Sequence, residues 1–267
     1  MTTIAHITDL HFGREDPAIA RALANNLLDL KPDLIVVGGD LTQRARPSQF
    51  KSAKQFLSQF HCHQQVIPGN HDVPLWSFPL RLLAPFHTFN RFFTSTTPPA
   101  FENADVCVVA LNTARRCSTR IHGFWKDGLV RKSELAAACT RFATSASRFK
   151  ICVTHHPLVT PPGPLANEAA SGGRDAIPHL RACGVSLLLS GHLHHAFRID
   201  LGNGLQSVAA STACSTRTRV DPCGFSIVRI ADTLTTTSSL WTGTRFEEME
   251  SRSYFAAGLE PSTNTGS

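Results

Sequence analysis

The sequence contains no long uninterrupted hydrophobic run. None of its apolar stretches approaches the ~18 residues that a transmembrane helix needs, so we expect no membrane insertion. The sequence also lacks the basic region, apolar stretch and cleavage site of a secretion signal, because its first residues pass directly into a strand pattern that ends at Asp9. We therefore expect a cytoplasmic protein.

The sequence has no CxxC pair among its eight cysteines. Scattered cysteines in a chain without a secretion signal favour free thiols and disfavour a structural zinc site built on cysteine.

Two catalytic signatures are absent as well. Without a GxSxG elbow or a P-loop, serine hydrolase chemistry and P-loop nucleotide chemistry are disfavoured.

The charged residues form no concentrated patch. The chain carries 26 Lys and Arg against 20 Asp and Glu, and the resulting formal charge of +6 favours an anionic partner only in general terms. The basic residues are dispersed, as on a solvated surface, without the interleaved aromatics of a nucleic-acid groove. We expect a small-molecule substrate and no nucleic-acid polymer.

Roughly the first 200 residues alternate strand and helix patterns, which is typical of an α/β fold with parallel strands. Apolar runs predict strands at 4–8, 33–37, 65–67, 106–111, 151–154 and 185–189. Near-helical spacing predicts helices at 17–30, 47–60, 132–147 and 174–183. Residues 75–93 are interrupted by Pro79 and Pro85, so we expect short helical pieces there.

The pattern then changes to strands without helices. Residues 196–201 and 205–210 flank a Gly-Asn-Gly turn and predict a hairpin, while 225–230 and 234–240 predict a second antiparallel pair. Residues 247–267 are polar and small, so we predict a single domain over 1–246 and a flexible tail after it. The antiparallel region could pair between chains in a homodimer or form one of the domain's own sheets, so the oligomeric state stays open.

Polar side chains follow the first two predicted strands. Asp9-Leu10-His11 places a carboxylate and an imidazole two residues apart, on the same side of an extended segment, where both can face one ion. Gly38-Gly39-Asp40 lets the backbone turn tightly, so that Asp40 projects from the sheet edge, where a carboxylate can bridge two cations. Taken alone, each fragment also fits an aspartate that caps a turn.

Three further fragments follow later strands. Gly69-Asn70-His71-Asp72 offers a neutral amide ligand, which limits the negative charge of a two-metal site, and an imidazole that can meet a substrate phosphate or a leaving-group oxygen. His155-His156-Pro157 and Gly191-His192-Leu193-His194 add imidazoles that can serve adjacent ions. Alone, these fragments also fit an Asx-type turn or histidines with ordinary hydrogen-bond partners.

The five fragments are most informative together. Each follows an apolar strand, and α/β folds bring such strand ends to one edge of the sheet. Carboxylate, amide and imidazole ligands suit Mn, Fe or Zn. The sequence therefore predicts a site for two divalent or trivalent metal ions at that edge.

This series of motifs resembles the calcineurin-like metallophosphoesterases from residue 4 to residue 195. The stretches ITDLHFG and PGNHDVP are most similar to the bacterial class III cyclic-nucleotide phosphodiesterases. The resemblance implies a four-layer α/β/β/α sandwich of two mixed sheets, with the metals at one edge. It also implies that the first metal is held by Asp9, His11, Asp40 and His194, and the second by Asp40, Asn70, His155 and His192.

The same resemblance implies a mechanism. Two cations ~3.5–4 Å apart would clamp the phosphate, and a hydroxide that bridges them would attack it, so that no protein nucleophile is needed. We predict that His71 contacts the phosphate or protonates the leaving alkoxide, and that Asp72 orients His71. The role of His156 stays open.

The substrate is less well defined than the site. The resemblance implies a phosphodiesterase, with 3',5'-cyclic AMP as the leading substrate. The alternatives are a phosphatase or pyrophosphatase acting on a lipid or nucleotide-sugar precursor, and a metal-binding scaffold with little turnover. The groups that could reach a substrate, or could simply lie at the surface, are Asn112, Arg115, Arg116, Arg174 and the proline-rich stretch 161–164.

Overall fold

Twelve strands and six helices make up the part of the chain that the structure describes, a computed structural model of residues 1–93, 100–117, 126–161, 165 and 168–254. The strands are β1 Thr2–Ile7, β2 Leu34–Val37, β3 His63–Val66, β4 Ala100–Glu102, β5 Val106–Leu111, β6 Phe149–Thr154, β7 Leu187–Ser190, β8 Phe197–Asp200, β9 Gln206–Ala209, β10 Gly224–Ile230, β11 Leu234–Trp241 and β12 Phe246–Tyr254. The helices are α1 Pro17–Leu30, α2 Pro47–Leu57, α3 Phe78–Leu83, α4 His87–Phe92, α5 Lys132–Thr144 and α6 Gly173–Ala182.

The strands form two mixed sheets of six strands each. The first sheet has the order β12-β11-β10-β1-β2-β3, in which β1, β2 and β3 are parallel and the other neighbours are antiparallel. The second has the order β4-β5-β6-β7-β9-β8, with a parallel centre and an antiparallel strand at each edge. Parallel neighbours need long crossover connections, which contain a helix in every case except between β7 and β9, where the connection contains β8.

Alternating side chains of the strands make three hydrophobic layers. Ile4 and Val36 of the first sheet share a core with Ile151 of the second sheet. Ala5 points the opposite way, into a core that contains Leu23 of α1. The outer face of the second sheet packs in the same manner against α5 and α6. Because successive side chains of a strand point to opposite faces, both sheets are buried on both sides, and the expected four-layer sandwich is confirmed.

Helix α1 shows how the local sequence sets the limits of an element. The carboxylate of Asp16 accepts hydrogen bonds from the backbone N–H groups of Ala18 at 2.8 Å and Ile19 at 3.1 Å, so it caps the helix. Pro17 occupies the first turn, where its missing N–H costs no helical hydrogen bond. At the other end Lys31 adopts a left-handed conformation with φ 48°, which ends the helix.

Most predicted elements agree with the structure in type and order. Helix α1 and strand β5 have the predicted limits, and the interrupted region 75–93 forms the two short helices α3 and α4, as expected. The predicted hairpin is β8 with β9, and the second antiparallel pair is β10 with β11. The sequence does not predict β4, because its three residues are too few to show a period. Among the described residues no helix is long and apolar enough to cross a membrane.

The predicted start of the tail at residue 247 is wrong. Residues up to Tyr254 belong to β12, in which Glu247 pairs with Leu240 of β11 and Arg252 pairs with Thr236. The strand lies at the edge of the first sheet and carries several exposed polar side chains, so its composition resembles that of a tail. Residues 255–267 of the predicted tail lie outside the described residues.

Phe246 is expected to hold β12 to the sheet. Its side chain is 7% exposed, and its ring packs against Phe225 and Trp241 with centroids 5.5 and 5.4 Å away. Phe246→Ala should lower the free energy of unfolding by about 3–5 kcal/mol, the usual cost of truncating a buried phenylalanine. Met249→Ala, at an exposed position of the same strand, is the control and should change it by less than about 0.5 kcal/mol. Urea unfolding measures both variants, and equal effects would mean that the Phe246 ring does not hold β12 to the sheet.

Candidate metal centre

The carboxyl ends of five strands meet at one edge of the sandwich. Strands β1, β2 and β3 lie side by side in the first sheet, and β6 and β7 lie side by side in the second. Each is followed closely by one of the fragments that the sequence singles out. The structure brings the predicted ligands together in a buried group: Asp9, His11, Asp40, Asn70, His155, His192 and His194.

The loops after β1 and β2 run alongside each other. The backbone N–H of Asp9 donates to the carbonyl of Gly39 at 3.0 Å, and that of His11 donates to the carbonyl of Asp40 at 2.9 Å. The carboxylate of Asp9 accepts a further hydrogen bond from the backbone N–H of His192 at 2.9 Å. Because His192 follows a strand of the other sheet, these bonds fix loops of both sheets relative to each other.

Five of the predicted ligands have a left-handed backbone. The φ angle is 54° for Asp9, 48° for His11, 52° for Asp40, 70° for His192 and 52° for His194. For residues with a Cβ this conformation costs roughly 1–2 kcal/mol each. Such residues persist only where the surrounding contacts impose the conformation, and they concentrate at functional sites.

The first ligand cluster contains Asp9, His11 and His194. The Nε2 atoms of the two histidines lie 3.0 Å apart. Oδ1 of Asp9 lies 3.2 Å from Nε2 of His194 and 3.7 Å from Nε2 of His11. Oδ2 of Asp40 is 3.7 Å from Nε2 of His11. Four side chains therefore direct one atom each into the same small volume.

The second ligand cluster is built around His155. Its Nε2 lies 3.2 Å from Oδ1 of Asn70 and 3.4 Å from Oδ1 of Asp40. The ring of His192 packs edge-on against that of His155, with a centroid distance of 5.2 Å. Asp40 thus turns one carboxylate oxygen toward each cluster.

The hydrogen bonds of the imidazole rings show that both clusters suit a cation. Nδ1 of His155 and Nδ1 of His194 each donate to a backbone carbonyl, so in the neutral ring Nε2 carries a lone pair. In neutral His194 this lone pair faces Oδ1 of Asp9, acceptor against acceptor, and Nε2 of His155 meets Oδ1 of Asn70 favourably only with a proton or a cation between them. Oδ1 of Asp9 is buried and has no hydrogen-bond partner in the described ranges. A positive ion in each cluster would satisfy these atoms.

Burial and neighbouring charges set the ionisation of the ligands. Burial lowers the pKa of His11 to about 3 and that of His192 well below its usual range, so both rings are neutral near pH 7 and can bind a metal. Burial opposes ionisation of Asp40, but the imidazoles, led by His155, hold the pKa of that carboxyl well below its usual range. Despite burial, Asp40 raises the pKa of His155 to about 9, so a bound cation would replace a proton there.

His156 lies behind the second cluster. Its Nδ1 accepts a hydrogen bond from the hydroxyl of Thr113 at 2.9 Å, and its Nε2 donates to the carbonyl of Lys126 at 2.8 Å. Its ring packs on that of His192 with a centroid distance of 4.3 Å. Both ring nitrogens are occupied, so these contacts give His156 a supporting position. Glu168, which the sequence does not single out, has Oε2 3.9 Å from Nε2 of His192.

His71 lies at the mouth of the site and is more exposed than the ligands. Its Nδ1 donates to the carbonyl of Gln43 at 2.8 Å, which leaves Nε2 as an acceptor. The guanidinium of Arg217 donates to this Nε2 at 2.9 Å. The backbone N–H of His71 donates to Oδ1 of Asp40 at 2.8 Å. The sequence does not assign Gln43 or Arg217 to the site, because both lie in loops without a recognisable motif.

The predicted role of Asp72 in orienting the His71 ring is wrong. The Asp72 carboxylate is buried and accepts hydrogen bonds from the backbone N–H groups of Leu41 at 3.0 Å, Thr42 at 2.9 Å and Gly69 at 3.0 Å, and from the Thr42 hydroxyl at 2.8 Å. The ring of His71 is held by Gln43. Asp72 therefore joins the loop after β2 to the loop after β3, and it positions the ligands that these loops carry.

A cavity of about 720 Å³ opens at the same edge of the sandwich. It is lined by the residues that lead into the loop after β3 and by Asn112, which follows β5 beside β6. Arg115 and Arg116, for which the sequence leaves open a substrate contact or a surface position, also line it. Arg174 is exposed near the start of α6. Residues 162–164 of the proline-rich stretch lie outside the described residues.

Gly191 is required by the close approach of two loops. A Cβ at this position would overlap the hydroxyl of Thr8 and the carboxylate of Asp9. Gly69 has the same relation to Asp40, whose carboxylate and backbone nitrogen lie where a Cβ would be. Glycine leaves the room that these two carboxylates occupy.

Comparison with known proteins agrees with the fold and gives the family. A family model described as calcineurin-like phosphoesterase matches residues 2–196, and the chain belongs to this family. A probable cyclic nucleotide phosphodiesterase of Synechococcus is 26% identical over 207 residues, which cover 73% of this chain and 74% of the relative. A cAMP/cGMP dual specificity phosphodiesterase of Mycobacterium tuberculosis is 24% identical over 230 residues, which cover 80% and 68%. The chain is therefore a metal-dependent phosphoric ester hydrolase.

Solved structures show the same architecture. A dimetal phosphatase of Danio rerio superposes with a TM-score of 0.67 over 96% of this chain and 99% of that one, at 14% sequence identity. The structure of PhoD superposes with a TM-score of 0.70 over 96% of this chain and 70% of that one, at 11% identity. At these identities the likeness shows the fold alone.

Gly191→Ala should weaken metal binding to the first cluster. The added methyl group would displace the carboxylate of Asp9, and changes to such supporting contacts typically lower metal affinity about 10- to 100-fold. Gly202→Asn is the control, because Gly202 lies in the β8–β9 turn with φ 77° and has no neighbour within 4 Å of a Cβ. Metal analysis after dialysis against a weak chelator compares the two variants. A folded Gly191→Ala protein with wild-type metal affinity would show that this crowding is unimportant.

Proposed function

We propose that this chain is a binuclear metal-dependent phosphodiesterase that hydrolyses a small phosphodiester, with 3',5'-cyclic AMP as the first candidate. The observation that carries the proposal is the position of Asp40, with Oδ2 3.7 Å from Nε2 of His11 and Oδ1 3.4 Å from Nε2 of His155. A carboxylate shared by two ligand clusters is the arrangement that two ions need to act on one phosphate. The relatives named as cyclic nucleotide phosphodiesterases support this substrate class.

Two metal ions fit the donor atoms of the site. The first would be held by Asp9, His11, Asp40 and His194, and the second by Asp40, Asn70, His155 and His192. Carboxylate, amide and imidazole donors suit Mn, Fe or Zn. When bound, such ions supply electrophilic activation of the phosphoryl group and of water.

His71 is the side chain that would contact the substrate. Its ring lies edge-on to that of His11, with a centroid distance of 4.9 Å, and it is less buried than the ligands. The hydrogen bond from Nδ1 to Gln43 fixes the ring and directs Nε2 to the mouth of the site. From there Nε2, when it carries a proton, can donate a hydrogen bond to a phosphoryl oxygen or transfer that proton to the leaving alkoxide.

Turnover separates this function from the alternatives, because a phosphomonoesterase, a pyrophosphatase and an inactive scaffold would all bind metal. The protein is purified without chelator, supplied with Mn and assayed with bis-p-nitrophenyl phosphate, p-nitrophenyl phosphate, cyclic AMP and 2',3'-cyclic nucleotides. We expect kcat/KM for the diesters to exceed that for the monoester by at least about 10-fold. Preference for the monoester, or no hydrolysis by protein with both metals bound, would contradict the proposal.

Asp40→Asn should impair both clusters at once. The amide keeps the shape of the side chain but loses the negative charge that faces His11 and His155. We expect fewer than two metals per chain and a fall in kcat of about 100-fold or more. Asp29→Asn, at an exposed position of α1, is the control. Metal analysis and diesterase assays measure both variants; two bound metals with full turnover in Asp40→Asn would remove the bridging assignment.

His71→Ala should lower turnover without loss of metal. The imidazole faces the mouth of the site, so its removal takes away the phosphate contact or proton donor, which is worth about 10²–10⁴-fold in kcat. The exposed His61→Ala provides a matched control that should behave as the wild type. Assays and metal analysis are made on the same samples. Loss of metal from His71→Ala would instead identify His71 as a ligand.

A further inference from the structure

The loop that follows β9 brings Arg217 to the metal centre. Ser215 pairs with Glu15 in an isolated bridge, and the backbone N–H of Thr216 donates to the carbonyl of Arg14 at 2.9 Å. The backbone N–H of Arg217 donates to the hydroxyl of Ser215 at 3.1 Å. These hydrogen bonds join the loop to residues 14–15, which follow the turn that carries Asp9 and His11. Tertiary contacts therefore fix the position of Arg217.

The guanidinium of Arg217 points to the mouth of the site. Its Nη1 donates to Nε2 of His71 at 2.9 Å and to Oε1 of Gln43 at 3.4 Å. Both contacts use the same terminal nitrogen, so the fork retains further N–H donors. The backbone carbonyl of Arg217 accepts the hydrogen bond from Nδ1 of His194. One residue thus touches both a metal ligand and the side chain that would meet the substrate.

The charge of Arg217 is not paired with a carboxylate at close range. In the part of the chain that the structure describes, no Asp or Glu oxygen lies within ion-pair distance of this guanidinium. The side chain is half-buried, and burial lowers its pKa, although arginine stays charged in proteins. Asp40 and Asp9 attract this charge only from beyond ion-pair distance, so an anion bound at hydrogen-bond distance would stabilise it further.

We propose that Arg217 is a phosphate-binding residue whose guanidinium donates hydrogen bonds to a non-bridging oxygen of the substrate's phosphoryl group, beside His71. This inference rests on the proposed phosphodiesterase function and deepens it by naming a residue that recognises the anion. The ligand is a tetrahedral phosphate oxyanion, as part of a phosphodiester or as free inorganic phosphate. The planar fork of arginine suits such an oxyanion better than the ammonium group of lysine does.

If the side chain of Arg217 had only a structural role, measurements of kcat and of phosphate affinity would give different results from those of a direct phosphate contact. The backbone carbonyl holds His194, so a change of the side chain leaves that hydrogen bond in place. A guanidinium that acted only by orienting His71 would have no effect on the affinity for inorganic phosphate once His71 is replaced. Binding of inorganic phosphate to His71→Ala, with and without Arg217→Gln, therefore separates the two roles, because a direct contact predicts a further loss of affinity in the double variant.

The test measures the binding of inorganic phosphate to the Mn-loaded protein by calorimetry, together with kcat and KM for bis-p-nitrophenyl phosphate. We expect Arg217→Gln to weaken phosphate binding and to raise KM about 10- to 100-fold, while metal content stays unchanged. Arg217→Lys keeps the charge but not the fork, so its loss should be smaller. Arg219→Gln, at an exposed position of the same loop, is the matched control and should bind phosphate as the wild type does.

Three results would overturn the proposal. These are wild-type phosphate affinity and KM in Arg217→Gln, a lowered kcat with unchanged phosphate affinity, and loss of metal from that variant. Failure of the proposed function gives a different pattern. In that case the wild type binds phosphate in a manner that depends on Arg217 but hydrolyses none of the diesters.

Discussion

The carboxylate of Asp40 is the group on which the candidate site depends, because it lies between predicted ligands from both sheets. Its two oxygens approach His11 after β1 and His155 after β6, and its backbone carbonyl accepts the N–H of His11. A buried anion is stable only with positive charge beside it, which imidazolium protons or bound cations supply. The predicted ligands therefore form one balanced group of charges, and we expect a change to Asp40 to affect both clusters.

The register of the strands brings the predicted ligands to the same level at one edge of the sandwich. Ile7 pairs with Val37 at the ends of β1 and β2, so the two ligand turns begin at the same level of the first sheet. Asp72 then fixes the loop after β3 to the loop after β2. The left-handed residues of the ligand turns are costly in isolation, and hydrogen bonds between loops together with the core between the sheets impose them.

The sequence predicts the fold class and the grouping of the ligands because both depend on local patterns. Apolar runs mark the parallel strands, and the ligands directly follow those runs. The supporting contacts depend on tertiary packing and show no local signal. Asp72 binds backbone N–H groups of another loop, Arg217 reaches His71 from a loop after β9, and the polar edge strand β12 has the composition of a tail.

The most direct test of a shared two-metal centre is anomalous diffraction from crystals of the protein grown with Mn. We expect two anomalous peaks, each bonded to a different oxygen of Asp40, the first also contacted by Nε2 of His11 and the second by Nε2 of His155. A single peak, or a second peak that does not contact Asp40, would exclude a two-metal centre shared through this carboxylate.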